Sequence, residues 1–138
     1  MDKALNYLAL ARKAGLAELG EEPVGGAARA GKAYVIVVAS DASDHTWRRA
    51  KAFAAGTAQQ CVRLGYSKDE MGMAIGRESL AIAAITDAAM ALALVKSLPE
   101  PEKHAEAVQV LTEKVQKQKQ RKKEAQAHKK NVRVGKKK

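Results

Sequence analysis

The stretch Ala33-Tyr34-Val35-Ile36-Val37-Val38-Ala39 constrains this chain more than any other. It is apolar throughout, and Val35, Ile36, Val37 and Val38 are all β-branched. Gly31-Lys32 precedes it and Ser40-Asp41 follows it. A short run of this kind between turn residues predicts a strand buried on both faces. Such strands occur where helices cover both sides of a sheet. Leu80-Ala81-Ile82-Ala83-Ala84-Ile85 predicts a second one. Each run is followed by a polar cap and a helical pattern, at Ser43-Asp44 and at Asp87. This repeated step from strand to helix places any chemistry in the loops.

The segments between these runs complete the pattern. Asp2 is a candidate cap for a first helix, with Leu5, Leu8 and Ala9 on one face, Arg12-Lys13 in its last turn and Gly15 beyond. Leu16-Ala17-Glu18-Leu19 predicts a short strand. A second helix is expected from near Glu22 to Gly31, with Pro23 early and Glu21 and Glu22 at its positive end. Gly25 and Gly26 weaken that helix by up to about 1 kcal/mol each relative to Ala. Close packing or close approach of a ligand would account for them. A helix from Ser43 or Asp44 to about Ala55 ends at Gly56, and Cys61-Val62-Arg63-Leu64 predicts a third strand after it. Ser67 and Glu70 form a capping box that opens a short helix ending at Gly76. The helix capped by Asp87 runs through about Lys96. The interleaving predicts a three-layer α/β/α sandwich with a small mixed sheet of about four strands, whose order the pattern does not fix.

Charge divides the chain. From Pro99 onward there are 13 basic and 5 acidic residues, a net +8, which leaves +2 for residues 1–98. Pro99-Glu100-Pro101 marks the boundary. Residues 1–98 form the expected domain, able to fold alone, and residues 99–138 form a basic tail. In the tail, Val108, Leu111 and Val115 give a brief helical stripe, and from Gln116 little remains to bury. The tail is expected to be helical to about His128 and frayed after Asn131. A near-neutral body with a basic tail suits a polyanion, nucleic acid before membrane. No apolar run reaches the roughly 20 residues needed to span a bilayer, and the start, Met1-Asp2-Lys3, lacks a secretory layout. A cytoplasmic location is expected.

Enzyme-like signals fail on spacing. Gly72-Met73-Ala74-Ile75-Gly76-Arg77-Glu78-Ser79 has three residues between its glycines, then Arg and Glu. A phosphate loop needs four, then Lys and Ser or Thr. Ser43-Asp44-His45 reads as a helix cap, because a triad is assembled from separate segments. His45, His104 and His128 lack metal-ligand spacing, and Cys61, the single cysteine, allows no disulfide. With aromatic residues at 4%, no row of stacking rings is available. No enzyme activity, cofactor or metal is expected. Two glycine-bearing loops remain, Gly20–Gly26 and Gly72–Ser79. Backbone amides at a helix start bind phosphate oxygens, and Arg29, Lys32 and Arg77 lie near these loops in sequence.

At these loops the chain resembles the kink-turn RNA-binding ribosomal protein family, which includes the archaeal large-subunit protein "seven-Ae". It is most similar to the small bacterial branch of the YlxQ type. The resemblance is carried by Leu8-Ala9-Leu10-Ala11-Arg12-Lys13-Ala14-Gly15, Gly20-Glu21-Glu22, and Gly31-Lys32-Ala33 with its strand and Ser40-Asp41-Ala42-Ser43. Met71-Gly72-Met73-Ala74-Ile75-Gly76-Arg77 and the strand ending Thr86-Asp87 complete it. It implies a non-catalytic α/β/α sandwich that binds RNA; the RNA is expected to be structured and ribosomal, and the chain to be a monomer. The implied contact residues are Gly20, Glu21, Glu22, Gly25, Gly26, Arg29 and Lys32, then Gly72, Ile75, Gly76, Arg77, Glu78 and Ser79. Tail phosphate contacts are expected from Lys117, Lys119, Arg121, Lys122, Lys123, Lys129, Lys130, Arg133, Lys136, Lys137 and Lys138. The family pattern is Gly, any residue, Asn, Glu, two residues, Lys. This chain has Glu22 for the Asn, Pro23 for the Glu and Gly26 for the Lys. A protein–protein adaptor that kept the fold and lost RNA readout is the alternative.

Overall fold

Val35–Val38 forms strand β2, and all four residues are fully buried. Alternate side chains point to opposite faces of a sheet, so both faces are covered there. The computed structural model describes residues 2–136, with side chains through residue 127. In chain order the elements are α1 (Lys3–Lys13), β1 (Ala17–Leu19), α2 (Glu21–Arg29), β2, α3 (Asp44–Ala54), β3 (Gln60–Arg63), α4 (Lys68–Ala74), β4 (Ile82–Ile85), α5 (Ala88–Lys96), a 3₁₀ turn at Pro101–His104 and α6 (Ala105–Lys136).

The sheet has the order β1-β4-β2-β3. β4 pairs antiparallel with both β1 and β2, and β3 runs parallel to β2. β4 is the second strand predicted from an unbroken apolar run, and Ile82, Ala83, Ala84 and Ile85 are all buried. The two central strands are thus the two continuous runs, and the edge strands β1 and β3 show partial exposure. Helices α2 and α3 pack together on one face, while α1, α5 and α6 pack on the other. This is the expected α/β/α arrangement with a small mixed sheet.

Local chemistry sets the helix starts. The Ser43 side chain accepts the Thr46 N–H at 3.1 Å, and Asp87 accepts the Met90 N–H at 2.9 Å. The Ser67–Glu70 capping box is complete. Asp2 is different. It holds the cap position of α1 but makes no side-chain capping bond. Its carboxylate instead takes the Tyr66 hydroxyl, and burial together with that bond pushes the Tyr66 hydroxyl above its usual range. Helix α2 begins at Glu21, so Pro23 lies at its third position, within the first turn where its missing N–H costs no helical bond.

The first turns of α6 join the core. Ala107 and Leu111 are buried within the main apolar cluster, and Val108 packs against it. The boundary expected after Leu98 therefore falls between α5 and α6, two helices that pack together. No helix of the described residues is long and apolar enough to cross a membrane.

Candidate functional site

The two glycine loops lie at the same end of the sheet. β1 ends at Leu19, opposite the start of β4, and the Gly20 N–H donates to the Ile82 carbonyl at 3.0 Å. Gly20 has φ of 96°, a backbone state that disfavours any side chain. On the other side of β4, the Ala39 N–H donates to the Ala81 carbonyl at 2.9 Å. The segment leading into β4 is thereby tied to the ends of both neighbours. The Asp41 carboxylate reaches across to accept the Lys68 N–H at 2.8 Å, which joins the loop after β2 to the start of α4.

Within the second loop, Gly72 is required by contact. A Cβ there would lie 2.6 Å from the Ser79 nitrogen, 2.7 Å from its Cα and 2.9 Å from the Arg77 carbonyl oxygen. The Arg77 N–H also donates to the Gly72 carbonyl at 2.8 Å. This folds residues 77–79 back onto α4 and leaves Gly76, Arg77, Glu78 and Ser79 exposed. Ile75 differs from the other predicted contacts. It is 3% exposed, and its side chain belongs to the core.

In the first loop the two acidic residues separate. Glu21 accepts the Thr46 hydroxyl at 2.8 Å and lies 3.8 Å from the Arg49 guanidinium, so its carboxylate is directed to α3. Thr46 and Arg49 are partners that the sequence did not single out. Glu22, Pro23 and Gly26 are exposed on α2. Gly25 faces the other way. A Cβ there would meet the Phe53 ring at 3.1 Å and Arg29 at 3.2 Å, so close packing of α2 on α3 explains this glycine. Gly26 has open space around it, and packing does not explain it.

Arg29 and Lys32 lie at and beyond the far end of α2 from Gly20, yet both reach the first loop: Arg29 comes within 3.2 Å of a Cβ built on Gly25, and Lys32 lines a shallow concavity with Pro23 and Gly26. Helix α2 carries the chain about 13 Å at 1.5 Å per residue, back towards the end of the sheet where Ile85 accepts the Tyr34 N–H at 2.8 Å. Arg29 also lines a cavity of about 440 Å³ with Tyr34, Gln59, Lys114, Lys117, Gln118 and Arg121. Of the tail contacts, Lys117, Lys119, Arg121, Lys122 and Lys123 are exposed on α6. The side chains of Lys129, Lys130, Arg133, Lys136, Lys137 and Lys138 lie outside the described residues.

The described residues contain no group of three His, Cys, Asp or Glu able to hold a metal ion. Burial pushes the Cys61 thiol up to about 11, with Lys51 opposing, so the thiol stays protonated at neutral pH. Arg49 sits over the Phe53 ring at 5.5 Å, and Lys51 and Arg63 each sit 5.3 Å from the Trp47 ring. These contacts hold part of the basic surface of α3 against its aromatic residues.

No family model and no curated protein sequence matches the chain. Solved structures do. A protein of unknown function from Bacillus halodurans is 26% identical with a TM-score of 0.67, and the match covers 72% of this chain and 100% of that one. The Giardia lamblia 15.5kD RNA binding protein is 18% identical with a TM-score of 0.57, over 67% of this chain and 82% of that one. The second likeness is one of fold.

Proposed function

We propose that this chain is a non-enzymatic RNA-binding protein that acts on structured, ribosome-associated RNA. One observation carries the reading. The Gly20 turn and the Gly72–Ser79 loop lie at the same end of the sheet, where β4 starts, with Arg77 exposed. Backbone donors at a helix start, beside a loop that presents the exposed Arg77, suit close approach of a phosphate backbone. The fold shared with a protein described as RNA binding supports the same reading. The basic helix α6 adds phosphate contacts through its exposed lysines and arginines. Kink-turn preference is weak in this reading, because Glu22, Pro23 and Gly26 stand where the family pattern has two polar residues and a cation.

Crosslinking in cells followed by sequencing of bound RNA tests the proposal. Recovery of one defined RNA region is the expected result. Recovery of proteins alone would favour the adaptor reading, which one observation supports. Met73 is 77% exposed on α4, beside the same loops, and flexible exposed methionines suit adaptable protein contacts.

A further inference from the structure

Helix α6 changes chemistry along one face. Ala107 and Leu111 are buried against the body. Spacings of three and four residues continue that face through Lys114, Gln118 and Arg121. There the helix still borders the body: Gln118 donates to the Tyr34 hydroxyl at 3.3 Å. Lys114, Lys117 and Arg121 line the cavity of about 440 Å³, as does Arg29 from the last turn of α2. No carboxylate is among the lining residues.

Four cations around one opening repel each other. Lys114 and Lys117 are three apart on the helix, and Lys117 and Arg121 are four apart, spacings at which like charges destabilise. Lys114 is half-buried and Arg29, Lys117 and Arg121 are exposed at the rim of a concavity whose floor is fixed. The Gln59 side chain accepts the Ala33 N–H at 3.2 Å and donates to the Ala28 carbonyl at 3.2 Å. The volume falls within the usual range for ligand sites, roughly 300–1,000 Å³. A second concavity, of about 470 Å³, is lined by Asp2 and Lys3 with Tyr66 and has no such charge excess.

We propose that this cleft is a second nucleic-acid site, which takes consecutive phosphates of an RNA strand at the end of the sheet away from the glycine loops. It rests on the RNA-binding reading above. The two arginines match phosphate oxygens in fork geometry, and the half-buried Tyr34 offers a ring beside them. Four cations exceed what one carboxylate of an acidic peptide neutralises, but they match closely spaced phosphates. The protein would then hold two RNA segments at once.

The test uses the full chain and a short oligouridylate, followed by fluorescence anisotropy across a salt series. The variant Arg29→Gln/Lys114→Gln/Lys117→Gln/Arg121→Gln is compared with the charge-matched Lys3→Gln/Arg12→Gln/Arg48→Gln/Lys96→Gln. The cleft variant should lose about tenfold or more and flatten the salt slope by about 3 units, at ~0.7 per single-strand phosphate. The matched variant should lose less than about threefold. In the unmodified chain, bound RNA should protect Lys114 and Lys117 from amine acetylation, a readout that does not depend on the variant folding. Equal losses in the two variants, or no protection, overturn the cleft while leaving RNA binding in place. Failure of the unmodified chain to bind any RNA overturns the functional reading itself. Protection by uridine monophosphate equal to that by the strand, or tighter binding of an oligoglutamate, also overturns the proposal.

Discussion

Gly72→Ala is the sharpest perturbation that the site offers. In an ordinary helix the change would stabilise by up to about 1 kcal/mol. Here the added Cβ lies under 3.0 Å from three backbone atoms of residues 77–79. Backbone held by its own hydrogen bonds cannot rotate away as a side-chain tip can. Overpacking typically costs about 1–3 kcal/mol, and contact with backbone places this case at the upper end. The net loss is about 2 kcal/mol, which for a domain of this length lowers Tm by roughly 6–8 °C. Gly26→Ala is the internal control, since nothing lies within 4 Å of its Cβ position. That change should raise stability by a few tenths to about 1 kcal/mol. Thermal melts followed by circular dichroism measure both. If Gly72→Ala melts at or above the parent temperature, residues 77–79 do not pack on α4 and the loop geometry argued above is wrong. RNA affinity measured on the same samples, well below the melt, should fall for Gly72→Ala because the loop has been displaced.

Other expectations are as direct. Leu111→Ala should cost about 2–5 kcal/mol as a buried leucine truncation, and removal of residues 99–138 should lower the melting temperature of the remaining body; unchanged melts would mean that α6 does not pack on α5. The same truncation should flatten the salt slope of RNA binding by several units, measured by titration at four or more salt concentrations, and similarly for unrelated RNA sequences. Glu22→Asn with Pro23→Glu and Gly26→Lys should create a preference for a kink-turn RNA over a duplex, each charge-assisted contact adding roughly 1.5–3 kcal/mol. A tenfold preference already present in the unmodified chain would contradict the reading of that loop. Cys61 gives a pH dependence. Its thiol is raised from 9.0 to about 11, so its contribution is intact below pH 9.0 and is lost as pH climbs towards 11. Chemical denaturation should show the parent losing stability against Cys61→Ala across that window, and parallel curves would refute it.

The central strands were legible because their residues are apolar without interruption, a pattern that only two-sided burial tolerates. The capping box at Ser67 was legible because it is local. Asp2 shows where local reasoning stops: its sequence position suits a cap, but Tyr66, distant in sequence, takes its carboxylate. Arg29 shows the same limit in space. It follows Gly26 closely along the chain, but it also lines a cleft with α6 residues that are far from it in sequence. Ile75 sits amid exposed neighbours and is itself buried, which spacing over a short helix could not decide. The cleft beside Arg29 needed α6 to return to the body, and nothing in a basic, glutamine-rich stretch announces that return.

The position of β4 has a consequence for biosynthesis. It is the last strand in sequence, and it lies between β1 and β2, so neither of those strands has its antiparallel neighbour until residue 85 has been made. Contacts between β1 and β4 span most of the domain, and such non-local pairings form late. A nascent chain stalled just after β3 holds only the β2–β3 pair and leaves one side of β2 and all of β1 open to other chains. Protease resistance of stalled chains should therefore appear abruptly once β4 and α5 have emerged, rather than growing with each helix. Gradual resistance from α1 onward would show that the helices fold ahead of the sheet. The strand that completes the sheet also ends the period in which the newborn chain is open to aggregation.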